Sequence, residues 1–309
     1  MSLNDLKFAV VLATRNRPED AARAVRSILG SAMALELIVI DQSDDSRTTD
    51  SLESFDSDRR LAVVKSTDIG LARARNMGWR QTSAELLAFT DDDCEVCPGW
   101  LEGLATAFAH DERVGLVFGA VRAPDYDRSK GFVMAYAPQF RVARQIREKA
   151  RVEGVGACMA VRRSVLEALG GFDEELGCGA RLRSAEDTDI GVRALLAGFH
   201  VCETPGAAVY HYGFRTWGVG VRVIHDYMVG LGATNAKMLR LGKVQAIPPI
   251  AALAWRWLAK HPVVDLNHRP PRMARLRSFL VGFRSGLTAS LDANGRFLPK
   301  HVNGNGTAP

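Results

Sequence analysis

Short apolar runs alternate with segments of helical spacing through the first hundred residues. Phe8-Ala9-Val10-Val11-Leu12-Ala13, Leu35-Glu36-Leu37-Ile38-Val39-Ile40, Leu61-Ala62-Val63-Val64 and Leu86-Leu87-Ala88-Phe89 are too short for helices and read as strands, the first of central-strand type. Between them, Glu19 to Leu29 places acids in its first turn and Ala22, Val25, Ile28 and Leu29 on one face, which predicts a helix. Gly70 to Trp79 predicts a second, short one. Strand, helix, strand, strand, helix, strand implies right-handed crossovers and a mostly parallel sheet. Further on, the spacing of Val223-Ile224, Tyr227-Met228 and Leu231, the apolar segment Ala246 to Leu258, and the stretch Met273 to Leu291 predict a helical C-terminal region.

In open sheets of this kind ligands sit outside the carboxyl ends of the strands. Thr14-Arg15, Asp41 and Asp91-Asp92-Asp93 all fall at such ends. Three adjacent carboxylates repel one another, and a divalent cation held by oxygen ligands relieves that repulsion, with a diphosphate as the cation's usual anionic partner. The side-chain period of two puts Asp91 and Asp93 on one side as the expected pair, leaving Asp92 to face elsewhere, toward a sugar hydroxyl. The competing reading is an acidic turn that ends the strand, with Asp93 capping the segment before Pro98-Gly99-Trp100. No G-x-G-x-x-G follows the first strand and no P-loop occurs elsewhere, which counts against NAD binding and ATP hydrolysis.

The 309 residues, 47% of them hydrophobic, bury a sizeable core and fit one large domain or one plus an appendage. A net charge of +5 does not demand nucleic acid, although the arginines from Arg269 to Arg284, with no acid among them, leave contact with an anionic surface open. Five irregularly spaced cysteines behind a polar Met1 to Asp5 point to a reducing, cytoplasmic setting. Cys94 and Cys97 form a lone C-x-x-C and read as buried small hydrophobes. No run of about eighteen apolar residues is present to span a bilayer.

Taken together, Val11-Leu12-Ala13-Thr14-Arg15-Asn16-Arg17, Val39-Ile40-Asp41-Gln42-Ser43, Ala74-Arg75-Asn76-x-Gly78 and Thr90-Asp91-Asp92-Asp93 resemble the successive nucleotide-binding motifs of family 2 glycosyltransferases. Gly156 to Arg163, Gly170-Gly171-Phe172-Asp173-Glu174 and Ala185-Glu186-Asp187-Thr188-Asp189 resemble the acceptor half of that family, so the likeness covers about residues 7 to 215. It implies the α/β GT-A fold, a mostly parallel sheet flanked by helices, here with a C-terminal helical appendage. It also implies an inverting enzyme that moves a sugar from a nucleotide-diphosphate donor to an acceptor hydroxyl with Mn²⁺ or Mg²⁺. Asp187 falls on the family's catalytic base. Asp91 and Asp93, with His211 as a further ligand, fall on the metal site. Thr14, Arg15, Asp41, Arg75 and Asp92 join them around the nucleotide. The second motif reads Asp41-Gln42-Ser43, where many members carry a second acid, so the choice among UDP, dTDP and GDP stays open.

The residues themselves leave alternatives beside each role. Glu186 to Asp189 precede a helix-like Ile190 to Leu196 and equally suit its cap and dipole. Glu186 and Trp217 are expected at the acceptor. Trp217 and Trp100 suit stacking on a sugar or plain packing. Tyr126 to Arg151 mixes aromatic and basic residues and is expected to hold variable acceptor-binding elements or a solvated amphipathic helix. The expected organisation is a catalytic domain over 1–220, with the nucleotide half over about 1–123 and the acceptor half over about 124–220. A helical region over 221–300 and a disordered tail over 301–309 follow. Expected partners are the nucleotide sugar and a saccharide, lipid-linked or small-molecule acceptor, with no nucleic acid. Contact with the inner face of a membrane and self-association are left open. The competing functions are a nucleotidyltransferase, disfavoured by the lack of a glycine-rich loop at Thr14 to Pro18, and a non-catalytic sugar-binding or scaffold protein of the same fold.

Overall fold

The computed structural model describes residues 7–33, 35–259 and 270–299. The expected disordered tail and Arg269 lie outside them. β1 (Phe8–Thr14), α1 (Pro18–Leu29), β2 (Leu35–Asp41), α2 (Arg47–Leu52), β3 (Leu61–Lys65), α3 (Leu71–Arg80) and β4 (Leu86–Asp91) come first. β5 (Cys94–Val96), α4 (Trp100–Ala109), β6 (Val114–Arg122), β7 (Gly131–Phe132), β8 (Arg141–Ala143), β9 (Met159–Arg162), α5 (Arg163–Leu169) and α6 (Glu186–Leu196) follow. The chain then runs through β10 (His200–His211), β11 (Arg215–Thr216), α7 (Trp217–Arg240), α8 (Ile247–Ala259) and α9 (Arg272–Thr288).

The main sheet has the order β3-β2-β1-β4-β9-β6-β10-β5, with β8 paired beside β10. β3, β2, β1 and β4 are parallel, as are β6 and β10, while β9 runs antiparallel between β4 and β6. The mixed α/β fold and mostly parallel sheet agree with the expectation. Alternation along β1 shows why a continuous apolar run was needed. Phe8, Val10 and Leu12 pack on one face against Ala24, Val25 and Ile28 of α1, while Ala9 and Val11 pack on the other against Ala72 and Ala74 of α3. Both faces are covered, so no polar position was tolerated. Gly78 lets α3 lie directly on that second face, since a Cβ there would stand 2.3 Å from Val11 Cγ1.

Pro205-Gly206 forms an irregularity within β10, where the register on β6 slips between Glu203 and Ala208. Proline has no N–H to give the ladder, so the strand bulges there and then resumes. Two local expectations are corrected. Tyr126 to Arg151 contains no α-helix; it forms β7, β8 and a 3-10 turn over Ile146–Arg151. α6 starts at Glu186 rather than Ile190, which places Glu186, Asp187 and Asp189 inside its first turn at the positive end of the helix dipole.

The helical region is joined to the sheet without a break. α7 runs through residue 220, the position of the expected boundary. Its Lys237, with no exposed surface, pairs with Asp173 at 2.7 Å and Asp189 at 2.5 Å, and Arg193 closes on Asp189 at 2.7 Å. Buried carboxylates without such partners would be severely destabilising.

Candidate active site

β4 ends at Asp91, so the two-residue alternation stops there and Asp92 and Asp93 sit in the turn leading to β5. The three acids therefore point to three different partners. Asp91 accepts from Arg75 Nη2 at 3.3 Å. Asp92 turns inward, accepting from Thr14 Oγ1 and Arg17 Nη1, both at 2.9 Å. Burial lifts its pKa to about 6, with neighbouring Asp93 adding to the lift and Arg17 opposing it. Asp93 lies 3.3 Å from both Arg17 Nη1 and His211 Nε2. Burial opposes its ionisation, but His211, Arg17 and Arg215 outweigh burial and hold its carboxyl well below the usual range.

His211 reaches Asp93 because β10 pairs antiparallel with β5, setting His211 opposite Cys94. Ligand atoms of Asp93, Cys94 and His211 come within 4.8 Å of one another. Of the three residues expected at the metal, Asp93 and His211 belong to that group and Asp91 does not. Cys94 is buried, as expected. Burial, with the charges of Asp91 and Asp93, pushes its thiol well above the usual value. The carboxylate oxygen of Asp93 and the imidazole nitrogen of His211 are donors that suit Mn²⁺. Gly213 keeps the space beside them clear: a Cβ there would stand 2.6 Å from Asp93 Oδ2 and 2.8 Å from His211 Nε2. Among the described residues His211 Nδ1 is buried without a hydrogen-bond partner. The cradle and the donor set fit such an ion.

Arg75, expected as a nucleotide contact, is 1% exposed and works as an internal clamp. It joins Asp91 to Glu186 Oε1, at 3.1 Å, and to the carbonyl of Gly156, also at 3.1 Å. Glu186, expected at the acceptor, gives its carboxylate to this clamp. Burial and then the adjacent Asp187 raise its pKa to about 7 against the pull of Arg75.

Asp187 is arranged differently. Its Oδ2 accepts from the Gly156 N–H at 3.0 Å and its Oδ1 from the Thr188 N–H at 2.6 Å, and among the described residues it has no ion pair. The Gly156 loop is steadied from below by Lys149, which is fully buried and donates to the carbonyls of Val152 and Glu153. Asp187 lines a cleft of about 1020 Å³ together with Asp91, His211, Arg215, Tyr227 and Arg183. Tyr227, from α7, packs on Trp257 with ring centroids 4.1 Å apart and ring planes tilted by 39°, so the helical region supplies part of the cleft wall.

The remaining expected residues lie further off. Asp41 has no exposed surface; Ser43 N, Thr49 Oγ1 and Lys65 Nζ occupy its carboxylate at 2.8 to 2.9 Å and hold it ionised. It anchors the loop after β2. Arg15 is exposed and pairs with Asp44 at 3.2 Å, whereas Thr14 is buried on Asp92. Trp217 stacks on Phe132 at 5.7 Å and donates to the Ser129 carbonyl, outside the cleft lining, and Trp100 is 2% exposed with its Nε1 on Cys158 Sγ. Both are packing residues. Sequence reasoning did not single out Arg17, Gly213, Arg215 or Tyr227. Gly213 and Arg215 sit two and four residues past His211 in the same loop, so that histidine was the only signal pointing to them.

Comparison with known proteins supports the same architecture. The S. aureus TarS 1-349 structure superposes with a TM-score of 0.62 at 17% identity, covering 91% of this chain and 82% of TarS. The mannosyltransferase PcManGT from Pyrobaculum calidifontis, in complex with GDP-Man and Mn²⁺, gives 0.57 at 19% identity over 91% and 87%. In sequence, the chain is 25% identical to the probable glycosyltransferase YdaM of Bacillus subtilis over 60% of its own length and 45% of that protein. It is 29% identical to the uncharacterised protein y4gI of Sinorhizobium fredii over 66% of itself and 24% of y4gI. The chain thus spans less than half the length of these two relatives. The sequence pattern described as glycosyl transferase family 2 matches residues 9–170, just over half of the 309, and the chain belongs to that family.

Proposed function

We propose that the chain is an inverting glycosyltransferase that moves a sugar from a UDP-, dTDP- or GDP-linked donor onto an acceptor hydroxyl. The observation that carries this reading is Asp187: a carboxylate on the cleft wall, held by two backbone N–H groups and in no direct ion pair among the described residues, with the buried Lys149 ammonium acting on it from beyond contact distance. A carboxylate held so keeps a fixed direction and stays free to take a proton. Its neighbours Glu186 and Asp91 are committed to Arg75 and do not compete for that role.

Asp187 takes the acceptor O–H proton as the oxygen attacks the anomeric carbon from the face opposite the departing diphosphate. One displacement then inverts that carbon. Asp93 and His211 would hold Mn²⁺ or Mg²⁺, whose charge offsets the negative charge developing on the leaving diphosphate. Arg17 and Arg215 flank Asp93 and add positive charge on the same side. Glu186 and Arg75 act as positioning residues, tying the end of β4 to the start of α6 so that donor and base keep a fixed separation. The catalytic unit includes α7, because Tyr227 lines the cleft and Lys237 closes the charge cluster under α6.

Proton NMR of donor turnover tests this. With the α-linked nucleotide sugar and Mn²⁺, the first sugar released or transferred should be the β anomer, and Asp187→Asn should stop its appearance. Formation of the α anomer would remove the single-displacement step, and unchanged turnover by Asp187→Asn would remove the base.

A further inference from the structure

The positive charge of the protein is concentrated in one stretch of the sequence, of which Arg277 and Arg284 stand exposed on α9 while Arg275 is buried and Arg256 pairs with Glu153. Residues 243–291 carry eight Lys and Arg against a single acid, Asp265, a net of +7. The whole chain carries +5, so the remainder is slightly acidic at −2. Among the described residues of this stretch, α9 shows two unlike faces. Gly282 and Gly286 press on α7 so closely that a Cβ at Gly282 would stand 1.9 Å from the Val229 carbonyl oxygen, and one at Gly286 2.7 Å from that of Ala233. The opposite face, set by the 3.6-residue period, is Met273, Arg277, Leu280, Val281, Arg284 and Leu287. Its four apolar members are 41% to 64% exposed. Trp255 of the adjoining α8 is 68% exposed.

We propose that this outward face of α9 docks the protein on an anionic lipid bilayer. Leucine, valine and methionine side chains spaced a turn apart, with arginines between them and no acid on the stripe, match an interface that is apolar below and negatively charged above. The arginine stems lie along the apolar layer while their guanidinium groups reach the headgroups. A second copy of this chain fits poorly, because a two-fold contact would set arginine against arginine with no carboxylate on the stripe to pair them. The docked face also leads to the site. A groove lined by Arg181, Arg183, Arg277 and Val281 borders α9, and Arg183 lines the main cleft as well. On the transferase reading above, an acceptor carried by a lipid therefore reaches the cleft from the docked side.

The test is co-sedimentation of the full chain, without nucleotide, on vesicles of phosphatidylcholine alone or with about a third phosphatidylglycerol. The wild type should bind the anionic vesicles, bind the neutral ones far less, and be released as salt rises from about 0.1 to about 0.5 M. Arg277→Glu with Arg284→Glu should lower partitioning by more than about thirtyfold, since each arginine near the surface contributes about 1 kcal/mol and each glutamate adds repulsion on top of that loss. Leu280→Ser with Val281→Ser, which keeps the charge, should lower it about tenfold. All four positions are solvent-facing, so unchanged thermal melting is expected and serves as the control. Equal binding to both vesicle types, no binding by the wild type, or full binding by the charge-reversed variant would overturn the proposal. So would a solution dimer that the Leu280→Ser, Val281→Ser variant dissociates. Vesicle binding with no nucleotide binding would sink the transferase reading and leave the docking face standing.

Discussion

Two runs of acids meet near the cleft, one leaving a strand and one opening a helix, and their members are used in opposite ways. At the end of β4, each of Asp91, Asp92 and Asp93 has a cation or a histidine against it. At the start of α6, Glu186 and Asp189 are neutralised by Arg75 and by Lys237 with Arg193, but Asp187 rests on backbone N–H groups with no direct ion pair among the described residues, the buried Lys149 acting on it only from beyond contact distance. The strand-end cluster is therefore built to sit beside positive charge, and the helix cluster leaves one carboxylate free to accept a proton. Arg75 joins the two. Which acid does chemistry depends less on its place in a motif than on what already neutralises it.

The largest effect expected from breaking this division is on Asp187. Asp187→Asn should lower kcat by about three orders of magnitude while changing nucleotide affinity less than about twofold, read by initial rates and calorimetry. Removing the link comes next. Arg75→Met leaves Asp91 and Glu186 facing each other across a buried gap, and chemical denaturation should show a loss of about 3–5 kcal/mol. Gly213→Ala pushes a methyl into the space beside Asp93 and His211. Metal-dependent nucleotide affinity should fall about tenfold, in line with overpacking of about 1–3 kcal/mol, and binding in EDTA should not change.

The smallest effect is on pH dependence. Glu186 has its pKa raised from 4.5 to about 7, so the folded chain holds that proton more tightly than the unfolded chain. The resulting stability is full below about pH 4.5 and is lost as pH rises through about 7. The melting temperature of the wild type relative to Glu186→Gln should therefore fall across that window. A flat difference would show Glu186 already ionised throughout.

Much of the parallel half was legible because burial on both faces forces unbroken apolar runs, as in β1 and β4, while β2 is broken only at Glu36 and the edge strand β3 is partly exposed. Their carboxyl ends were then fixed by topology, which is how Thr14, Asp41 and Asp91 came to be grouped. Side-chain direction was lost where regular structure stopped. Asp92 and Asp93 lie in a turn, so alternation said nothing about them, and β5 and β10 decide that His211 faces Asp93. Asp41 looked available because a strand-end aspartate in a loop is usually solvated; Lys65 and Thr49, from elements the sequence does not place beside it, cover it. Arg75 likewise reads as a surface arginine until Glu186, 111 residues later, is folded against it.

The most direct test of the division is calorimetric titration of the wild type, Asp93→Ala and Asp187→Asn with UDP, dTDP and GDP, each in Mn²⁺ and in EDTA. One nucleotide should bind the wild type with Mn²⁺ and lose affinity in EDTA, Asp93→Ala should lose the Mn²⁺-dependent part, and Asp187→Asn should bind as the wild type does. Binding that ignores the metal, or that is lost in Asp187→Asn but kept in Asp93→Ala, would contradict the account by exchanging the roles of the two clusters.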